Sequence, residues 1–236
     1  MPKDLSVSFV LPMYNERDNI AYAVKEISSL APEVTNDHEI IFVDDASTDG
    51  SADAAEEIAQ KDNRVKVFRL TENTKFGGAF AKGFKSAAKD VIVYMDSDMP
   101  VKPEDVKASF PLIADADIVT GYSRVRKGDT LKRKIISGIY NLMVQALFGL
   151  KIKDINSGYK IVRRRVAENM EFISRSPFVD VELFLEAKRK GYKVKQFPLV
   201  FRSRFGGKSC ISSFPIMLAT FRDMIKVKIL SCRKNS

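Results

Sequence analysis

The apolar positions of the first hundred residues form four short runs, each followed by a polar turn and an amphipathic stretch. Runs of this kind are typical of β-strands that are buried on both faces of a parallel sheet. The four predicted strands are 5–11, 39–43, 64–70 and 91–95. The helices predicted between them are 17–30, 51–60 and 79–88. Repeated strand–helix units predict an α/β fold, a mostly parallel sheet with helices on both faces.

The first predicted helix has its apolar residues three or four positions apart, at Ile20, Val24, Ile27 and Leu30. This spacing places them on one face, which we expect to pack on the sheet. Proline cannot donate a backbone hydrogen bond, so Pro32 is expected to end this helix. For the second helix, the hydroxyl residues Thr48 and Ser51 are the expected N-caps.

The pattern changes after residue 100. Predicted helices at 103–113, 135–150, 180–190 and 214–230 are interleaved with strands at 117–121, near 159–162 and at 193–201. The last helix is amphipathic and basic, and the residues expected on its apolar side are Met217, Phe221, Met224 and Ile225. That side is expected to face a membrane, a partner or the core.

The predicted helix at 135–150 is nearly all apolar and has basic residues on both flanks. Its polar residues stand at every fourth position, at Ser137, Asn141 and Gln145. A helix of this length extends about 24 Å, less than the ~30 Å apolar core of a bilayer. Two alternatives follow: an interfacial helix whose basic flanks meet anionic headgroups, or a helix packed on the sheet.

The composition narrows the functional classes. The 236 residues carry a net charge of +9, which favours an anionic partner such as nucleic acid, an acidic membrane or a phosphorylated substrate. Basic and aromatic residues do not interleave as they do in nucleic-acid-binding modules, so no nucleic-acid partner is expected. The single histidine argues against a multi-histidine zinc site, and the two cysteines are compatible with a reducing compartment. Neither a signal peptide nor a transmembrane helix is predicted.

Two carboxylates directly follow the fourth predicted strand, in the segment Asp96-Ser97-Asp98. Open α/β sheets bind their ligands at the carboxyl ends of the strands. Alternate residues of an extended backbone point to the same side, so the Asp96 and Asp98 side chains are expected to converge. Two like charges held together need a cation or a shared proton, and paired oxygen ligands suit Mg²⁺ or Mn²⁺ with a substrate phosphate. A solvated turn is the alternative.

Two common nucleotide-binding motifs are absent from the sequence. A dinucleotide-binding Rossmann domain needs Gly-X-Gly-X-X-Gly after its first strand, where this chain has Pro-Met-Tyr-Asn-Glu at 12–16. A Walker A loop is absent as well. Any nucleotide is therefore held by other means.

Four segments, in their order along the chain, resemble the family-2 glycosyltransferases of the GT-A fold. They are 12–16 (Pro-Met-Tyr-Asn-Glu), 43–50 (Val-Asp-Asp-Ala-Ser-Thr-Asp-Gly), 96–98 (Asp-Ser-Asp) and 156–159 (Asn-Ser-Gly-Tyr). The chain looks most like the branch similar to dolichyl-phosphate mannose synthase and other polyprenyl-phosphate sugar transferases, over about residues 5–209. The resemblance implies a Rossmann-like GT-A domain at 1–210, with a nucleotide-sugar half at 1–100 and an acceptor half at 101–210. An amphipathic basic tail follows at 211–236.

The resemblance also implies roles on the donor side. The residues that would bind the nucleotide are Pro12, Tyr14, Glu16, Asp45 and Ser97. Asp96 and Asp98 would act in catalysis as the ligands of Mg²⁺ or Mn²⁺ under the diphosphate. Arg204, in the last basic loop, would close over the donor's phosphates.

On the acceptor side the resemblance implies three further residues. Arg124 would act in catalysis from a flexible acceptor loop. Lys134 and Ser137 would bind the acceptor phosphate.

The activity that the resemblance implies is transfer of a mannose- or glucose-class sugar from GDP-mannose or UDP-glucose to a polyprenyl phosphate, with inversion of the anomeric carbon. A metal and cationic side chains can neutralise the leaving diphosphate. A lipid phosphate with a pKa of about 6 is already largely ionised and needs no base. The protein is expected at the cytoplasmic face of a membrane, either peripherally or through a membrane-protein partner.

Two alternatives stay open. Transfer to a hydroxyl acceptor would need a carboxylate base, such as Asp154. An ion pair of Asp154 with Arg124 or the arginines at 163–165 is the favoured interpretation of that residue. A non-catalytic nucleotide-sugar-binding module is the other alternative, because Met99 and Pro100 stand where that branch often has Leu-Gln, a further metal contact.

Overall fold

The computed structural model describes residues 4–123, 131–168, 170–202 and 214–234, and its strands form one seven-stranded sheet. The strands are β1 Val7–Met13, β2 His38–Asp44, β3 Val65–Arg69, β4 Val91–Met95, β5 Ile118–Ser123, β6 Tyr159–Arg163 and β7 Val194–Leu199. Their order across the sheet is β3-β2-β1-β4-β6-β5-β7. β6 pairs antiparallel with β4 and β5, and the other neighbouring pairs are parallel. The predicted mostly parallel α/β sheet is confirmed.

The helices pack on both faces of this sheet. They are α1 Arg17–Val34, α2 Ser51–Ala59, α3 Lys75–Ser86, α4 Pro103–Ser109, α5 Leu131–Phe148, α6 Arg164–Ala167, α7 Val179–Lys190 and α8 Phe214–Lys234. A 3₁₀ helix, Phe110–Asp115, continues α4. In the described ranges, none of the helices combines the length and hydropathy needed to cross a bilayer.

Each face of the sheet has its own hydrophobic core, because alternate side chains of a strand point to opposite sides. On one face, Phe9 of β1 belongs to the same buried cluster as Ile20 of α1. On the other face, Val10 of β1 clusters with Phe80 of α3 and Phe184 of α7. Burial of each such side chain contributes about 1.5–3 kcal/mol. The two cores fix the strand ends from which the loops of the site emerge.

The apolar face predicted for the first helix is confirmed for its fully buried members, Ile20, Ile27 and Leu30. The prediction that Pro32 ends this helix is wrong, since α1 continues to Val34. Proline removes only one donor from the helix, and its φ is compatible with helical backbone. Val34 is buried in the core, and the N–H of Thr35 donates to the carbonyl of Ala31. Burial therefore outweighs the missing hydrogen bond.

The N-cap of α2 is Gly50, so the predicted caps Thr48 and Ser51 are wrong. Gly50 has a φ of 85°, a left-handed conformation that glycine adopts without strain. Asp49 takes over the capping role, because its Oδ1 accepts hydrogen bonds from the N–H and Oγ of Ser51 at 2.9 and 2.5 Å.

Helix α8 packs on the sheet with a face that differs from the predicted one. Met224 is only 3% exposed and lies in the core with Val227, whereas Phe221 and Ile225 are 48% and 47% exposed. The prediction that Met224 shares their side is therefore wrong. Helical spacing of three and four residues places Thr220, Met224 and Val227 on one stripe.

Candidate active site

The loops after β1 and β2 are joined by hydrogen bonds at the carboxyl end of the sheet. The N–H of Asn15 donates to Ser47 Oγ at 2.9 Å, and Asn15 Oδ1 accepts from the N–H of Thr48 at 2.8 Å. The N–H of Glu16 donates to Ser51 Oγ at 2.8 Å. Because these bonds cross between loops, the predicted nucleotide-binding segments at 12–16 and 43–50 form one connected surface.

Backbone strain is concentrated at this edge. In the described part of the chain, four residues other than glycine have a positive φ: Asn15, Ala46, Lys75 and Met99, at 56°, 60°, 65° and 49°. Each of them follows one of the strands β1, β2, β3 and β4. A left-handed backbone costs a side-chain-bearing residue about 1–3 kcal/mol and is typical of functional loops. Four such positions along one sheet edge indicate a ligand site.

Asp45, expected to read the nucleobase, is buried between the loop after β2 and the start of α3. Its Oδ1 accepts hydrogen bonds from the N–H and Oγ1 of Thr74 at 2.6 and 2.8 Å. Burial raises the pKa of Asp45, although the hydrogen bonds from Thr74 oppose the shift. Thr74 therefore orients this carboxylate.

Asp44 and Asp49 accept hydrogen bonds from nearby backbone N–H groups. Asp44 Oδ2 accepts from the N–H of Ser47 at 3.2 Å. Asp49 Oδ2 accepts from the N–H of Arg17 at 3.2 Å, which ties α1 to the loop before α2. Burial opposes ionisation of Asp49, but the hydrogen bonds from Ser51 and Arg17 outweigh it and lower its pKa.

The other expected nucleotide residues differ in exposure. Tyr14 is 44% exposed, and Ser97 is 3% exposed with its side chain inside the protein. Pro12 is a half-buried residue of β1 opposite Val43 of β2. Glu16 Oε2 accepts from Asn19 Nδ2 at 2.5 Å.

The carboxylates of Asp96 and Asp98 follow β4, whose five residues are all buried. The N–H of Met99 donates to the carbonyl of Asp96 at 3.0 Å and closes a turn that contains both aspartates. Asp98 is 5% exposed, and Asp96 is half-buried. In the described ranges, no group of three histidine, cysteine or carboxylate side chains is placed to hold a metal.

Gly158 provides the space in which the Asp96 carboxylate lies. A Cβ at position 158 would lie 2.5 Å from Asp96 Oδ2, so any other residue there would displace this carboxylate. The N–H of Asp96 also faces the Gly158 carbonyl, at 3.4 Å. Two carboxylates in one turn supply the hard oxygen ligands that suit a Mg²⁺ or Mn²⁺ taking its remaining ligands from water and a diphosphate.

The expected acceptor residues are described only in part. Ser137 lies half-buried on α5, one turn before Asn141. Asn141 Nδ2 donates to the Ser137 carbonyl at 3.0 Å, and Asn141 Oδ1 accepts from the N–H of Ile155 at 3.2 Å. Helix α5 is thereby attached to the loop that leads to Gly158.

Three predicted residues cannot be placed in the site. Arg124 and Arg204 lie outside the described residues, and so does the side chain of Lys134 in the first turn of α5. They remain predictions from the resemblance.

The arginines at 163–165 do not form the ion pair that was expected for Asp154. Arg163 donates to the carbonyls of the 3₁₀ helix, Arg164 pairs with Glu168 at 3.0 Å, and Arg165 pairs with Asp117 at 2.6 Å. These partners lie just before β5 and just after α6, at the opposite end of β6 from the site. That part of the interpretation of Asp154 is wrong.

A buried ion pair between Lys160 and Asp180 was not predicted. Lys160 Nζ lies 2.9 Å from Asp180 Oδ1, and the side chains are 0% and 2% exposed. Burial raises the pKa of Asp180 to about 6, against the effect of Lys160, and Asp154 raises it further. A lysine within the apolar strand sequence Tyr-Lys-Ile-Val was the available signal, since lysine is rarely buried without a partner.

A cavity of about 30 Å³, enough for roughly one water molecule, lies beside the Asp96 carboxylate. It is lined by Phe76, Asp96, Asn156, Ser157, Gly158, Pro177 and Asp180. The elements that meet here are α3, the loop after β4, the loop before β6 and the start of α7.

Comparison with known proteins gives relatives of this chain by sequence. Polyprenol monophosphomannose synthase of Mycolicibacterium smegmatis is 31% identical over 226 residues, covering 90% of this chain and 83% of that protein. Dolichol-phosphate mannosyltransferase of Pyrococcus furiosus is 32% identical over 213 residues, covering 87% of this chain and 59% of that protein. Undecaprenyl-phosphate mannosyltransferase of Micrococcus luteus is 29% identical and covers 88% of each chain.

Solved structures give the same fold. Glucosyl-3-phosphoglycerate synthase from Mycobacterium tuberculosis, crystallised with Mn²⁺, UDP and phosphoglyceric acid, superposes with a TM-score of 0.72. The match covers 96% of this chain and 78% of that one, at 21% identity. A family profile described as glycosyl transferase family 2 matches residues 8–170. That match extends over more than half of the chain, and this protein belongs to glycosyl transferase family 2.

Proposed function

We propose that this protein transfers a sugar, of the mannose or glucose class, from a nucleotide-diphosphate sugar to a polyprenyl phosphate. The observation that carries the proposal is the Asp96/Asp98 pair at the carboxyl end of β4, where the Asp96 carboxylate lies against Gly158. The acceptor class is supported by relatives whose names describe mannosyl transfer to polyprenol, undecaprenyl phosphate or dolichol phosphate.

The donor fits the edge formed by the loops after β1 to β4. Asp45, held by Thr74, supplies a buried acceptor for a nucleobase. Exposed Tyr14 offers a ring and a hydroxyl, and it directly follows Met13, whose carbonyl accepts from the N–H of Asp45 at 3.0 Å. GDP-mannose and UDP-glucose are the proposed donors. The hydrogen bonds between the loops after β1 and β2 hold this surface together before the donor binds, which lowers the entropic cost of binding.

Asp96 and Asp98 are the residues that would hold Mg²⁺ or Mn²⁺. A bound divalent cation supplies positive charge that stabilises the leaving diphosphate. The aspartates fix that charge on a buried strand end, so little reorganisation is needed as the glycosidic bond breaks. Direct displacement by the acceptor oxygen inverts the anomeric carbon.

A phosphate acceptor removes the need for a general base. Its oxygen is already largely ionised at neutral pH, with a pKa of about 6. Cationic side chains are needed to bring two anionic substrates together, and the net charge of +9 meets this need. Lys134, Arg124 and Arg204 are the proposed cations, and Ser137 is a proposed hydrogen-bond donor to the acceptor.

The exposed apolar residues of α5 and α8 form what we call the two-helix apolar face. It consists of Ile135, Ile139, Leu142, Leu218, Phe221, Ile225 and Ile229, each between 47% and 67% exposed. Lys228 Nζ of α8 donates to the Leu147 carbonyl of α5 at 2.7 Å, which joins the two helices. Exposed Arg222 and Lys226 lie on α8 beside this face.

Exposed apolar residues flanked by cations fit the surface of an anionic membrane. We propose that the protein binds peripherally through this face, which would place the site near a lipid acceptor. Sedimentation with vesicles tests this: L142E/F221E should lose binding to anionic vesicles. The control V200E, at an exposed apolar residue outside the face, should retain it. Retained binding by L142E/F221E would show that another surface binds the lipid, and no binding by the intact chain would favour a membrane-protein partner.

Transfer of labelled sugar is the test of the activity. Purified protein is incubated with Mn²⁺, labelled GDP-mannose or UDP-glucose, and a short-chain polyprenyl phosphate in detergent. Label is expected in an acid-labile lipid product, and EDTA and D98A should each abolish it. The control D115N changes an exposed aspartate just before β5, at the opposite edge of the sheet, and should remain active. Donor turnover onto a hydroxyl acceptor with no lipid product would contradict the proposed acceptor.

A further inference from the structure

The Asp96 carboxylate rests on a short segment that a buried ion pair holds in place. Gly158 and Ser157 form this segment, directly before β6. Lys160 Nζ donates to the Ser157 carbonyl at 2.5 Å and pairs with Asp180 at 2.9 Å. One cation therefore links the peptide under Asp96 to the first turn of α7.

The register of the sheet explains why Lys160 can reach this carbonyl. Lys160 of β6 lies opposite Tyr94 of β4, and Tyr159 lies opposite Met95. The next step along this antiparallel pair brings Gly158 to Asp96. The Lys160 side chain turns back past the Tyr94 ring, whose centroid is 5.6 Å from Nζ, toward the same strand end.

A second bond attaches the same segment to the start of α7. Asn156 Nδ2 donates to the Pro177 carbonyl at 2.8 Å, two residues before α7 begins. Asp180 lies in the first turn of α7, where the helix dipole favours a negative charge. The segment 156–158 is thus fixed at two points, the side chain of Asn156 and the carbonyl of Ser157.

Stability alone does not explain a fully buried lysine–aspartate pair. Desolvation of two charges offsets most of their attraction, and apolar replacements of similar volume are often neutral or stabilising. A buried pair has a clear use where a fixed geometry is required, and here it fixes the peptide against which Asp96 lies.

We propose that Lys160 and Asp180 are positioning residues that set the location of the Asp96 carboxylate by anchoring the Ser157–Gly158 peptide. Neither residue is assigned contact with the substrate. The inference rests on the proposed function, because its consequence is the strength of metal binding in the nucleotide complex.

The test uses the double variant Lys160→Met/Asp180→Leu, which removes the anchor and leaves no unpaired buried charge. The single variant Lys160→Met would leave Asp180 uncompensated and is expected to fold poorly. The control is Lys66→Met, which breaks an ion pair to Glu39 at the amino ends of β2 and β3, the opposite edge of the sheet. Lys66 is half exposed, and the Glu39 carboxylate keeps its hydrogen bonds from Ser8 Oγ and the N–H of Ala88, so this variant is expected to fold.

Mn²⁺ binding is measured from the electron paramagnetic resonance signal of free Mn²⁺, with GDP and, separately, with UDP. Affinity of the double variant for Mn²⁺ is expected to fall about tenfold relative to the intact chain, a factor that corresponds to 1.4 kcal/mol. Affinity for the nucleotide without metal should stay unchanged. A general loss of structure would lower both affinities together, and the control variant should lower neither.

Hydrogen exchange of segment 156–160 in the absence of metal and nucleotide is the second measurement. The double variant should exchange faster there than the intact chain and the control. Unchanged exchange together with unchanged Mn²⁺ affinity would overturn the positioning role. If the intact chain fails to bind Mn²⁺ both in the presence of GDP and in the presence of UDP, the proposed function fails. Hydrogen exchange alone then decides the role of the pair.

Discussion

Replacement of Gly158 by alanine is expected to displace the Asp96 carboxylate without unfolding the protein. The new Cβ would lie 2.5 Å from Asp96 Oδ2 and 3.1 Å from its Cγ. An ordinary contact begins at 3.4 Å, so Oδ2 must move by about 0.9 Å. The atoms in the way belong to the end of a side chain that can rotate, and Gly158 is not among the described glycines with a positive φ.

The effect on activity follows from this displacement. A misplacement of about 1 Å in a group that positions the reacting substrate lowers the rate by about 10²-fold. We therefore expect kcat/KM to fall by about that factor, which is about 2.7 kcal/mol of transition-state stabilisation. The free energy of unfolding should change little. Alanine restricts the unfolded chain more than glycine does, which stabilises the folded state by about 0.4–1 kcal/mol and offsets the local strain.

The assay is transfer of labelled sugar by Gly158→Ala, with thermal unfolding measured on the same preparation. Gly138→Ala is the matched control, because an alanine Cβ there meets nothing within 4 Å. In the interior of α5 that change should stabilise by about 0.5–1 kcal/mol and leave kcat/KM unaltered. Full activity of Gly158→Ala, or a loss accompanied by a large drop in Tm, would refute the reasoning.

Three further predictions concern stability. Gly77→Ala should lower the free energy of unfolding by about 1–3 kcal/mol. The added Cβ would lie 2.9 Å from the Cα of Arg175, a backbone atom that cannot rotate away. An unchanged urea midpoint would contradict this. Tyr94→Phe should leave the free energy of unfolding unchanged or raise it by up to about 1 kcal/mol. The reason is that, among the described residues, the buried hydroxyl of Tyr94 has no hydrogen-bond partner. A clear drop in Tm would show that the hydroxyl does have such a partner. A hydrogen bond from Arg189 lowers the pKa of Glu186 from 4.5 to about 2, so its stabilising effect is present above pH 4.5 and lost as the pH falls toward 2. Because the Arg189 side chain is 64% exposed to solvent, we expect this ion pair to stabilise the fold by less than about 1 kcal/mol. E186Q should flatten the pH dependence of urea unfolding in that range, and an unaltered slope would disprove this.

The strands that carry the site were predictable because their signal is local. Val91–Met95 is an uninterrupted apolar run, and all five residues are buried, so the position of Asp96 at the strand's end followed directly. The same holds for β2 and the carboxylates after it. Helix boundaries were predicted less well where tertiary contacts overrule local preference, as at Pro32, which lies within α1 because Ala31 and Val34 are buried.

Two features of the site depend on long-range contacts that a single sequence does not display. The left-handed backbone at Ala46 and Lys75 is imposed by the surrounding loops, and neither residue type favours it. The burial of Lys160 depends on its pairing with Asp180, twenty residues later along the chain. A lysine in an apolar strand indicates that a partner is needed, but nothing local identifies that partner.

The reversed direction of β6 explains how distant parts of the sequence form one site. In a fully parallel sheet, all strands begin at one edge and end at the other, so the residue before one strand and the residue after the adjacent strand lie at opposite edges. Because β6 runs antiparallel to β4, Gly158 before β6 lies instead against Asp96 after β4. The loop 155–158 belongs to the second half of the chain. It is attached to α5 by the hydrogen bond from Ile155 to Asn141, and to the residues just before α7 by the hydrogen bond from Asn156 to Pro177. A change in how α5 contacts a membrane would therefore be transmitted to the Asp96 carboxylate through a single loop. Variants of the two-helix apolar face should accordingly alter Mn²⁺ affinity only when vesicles are present. An equal change in detergent-free solution without vesicles would show that the helix acts on the site through folding alone.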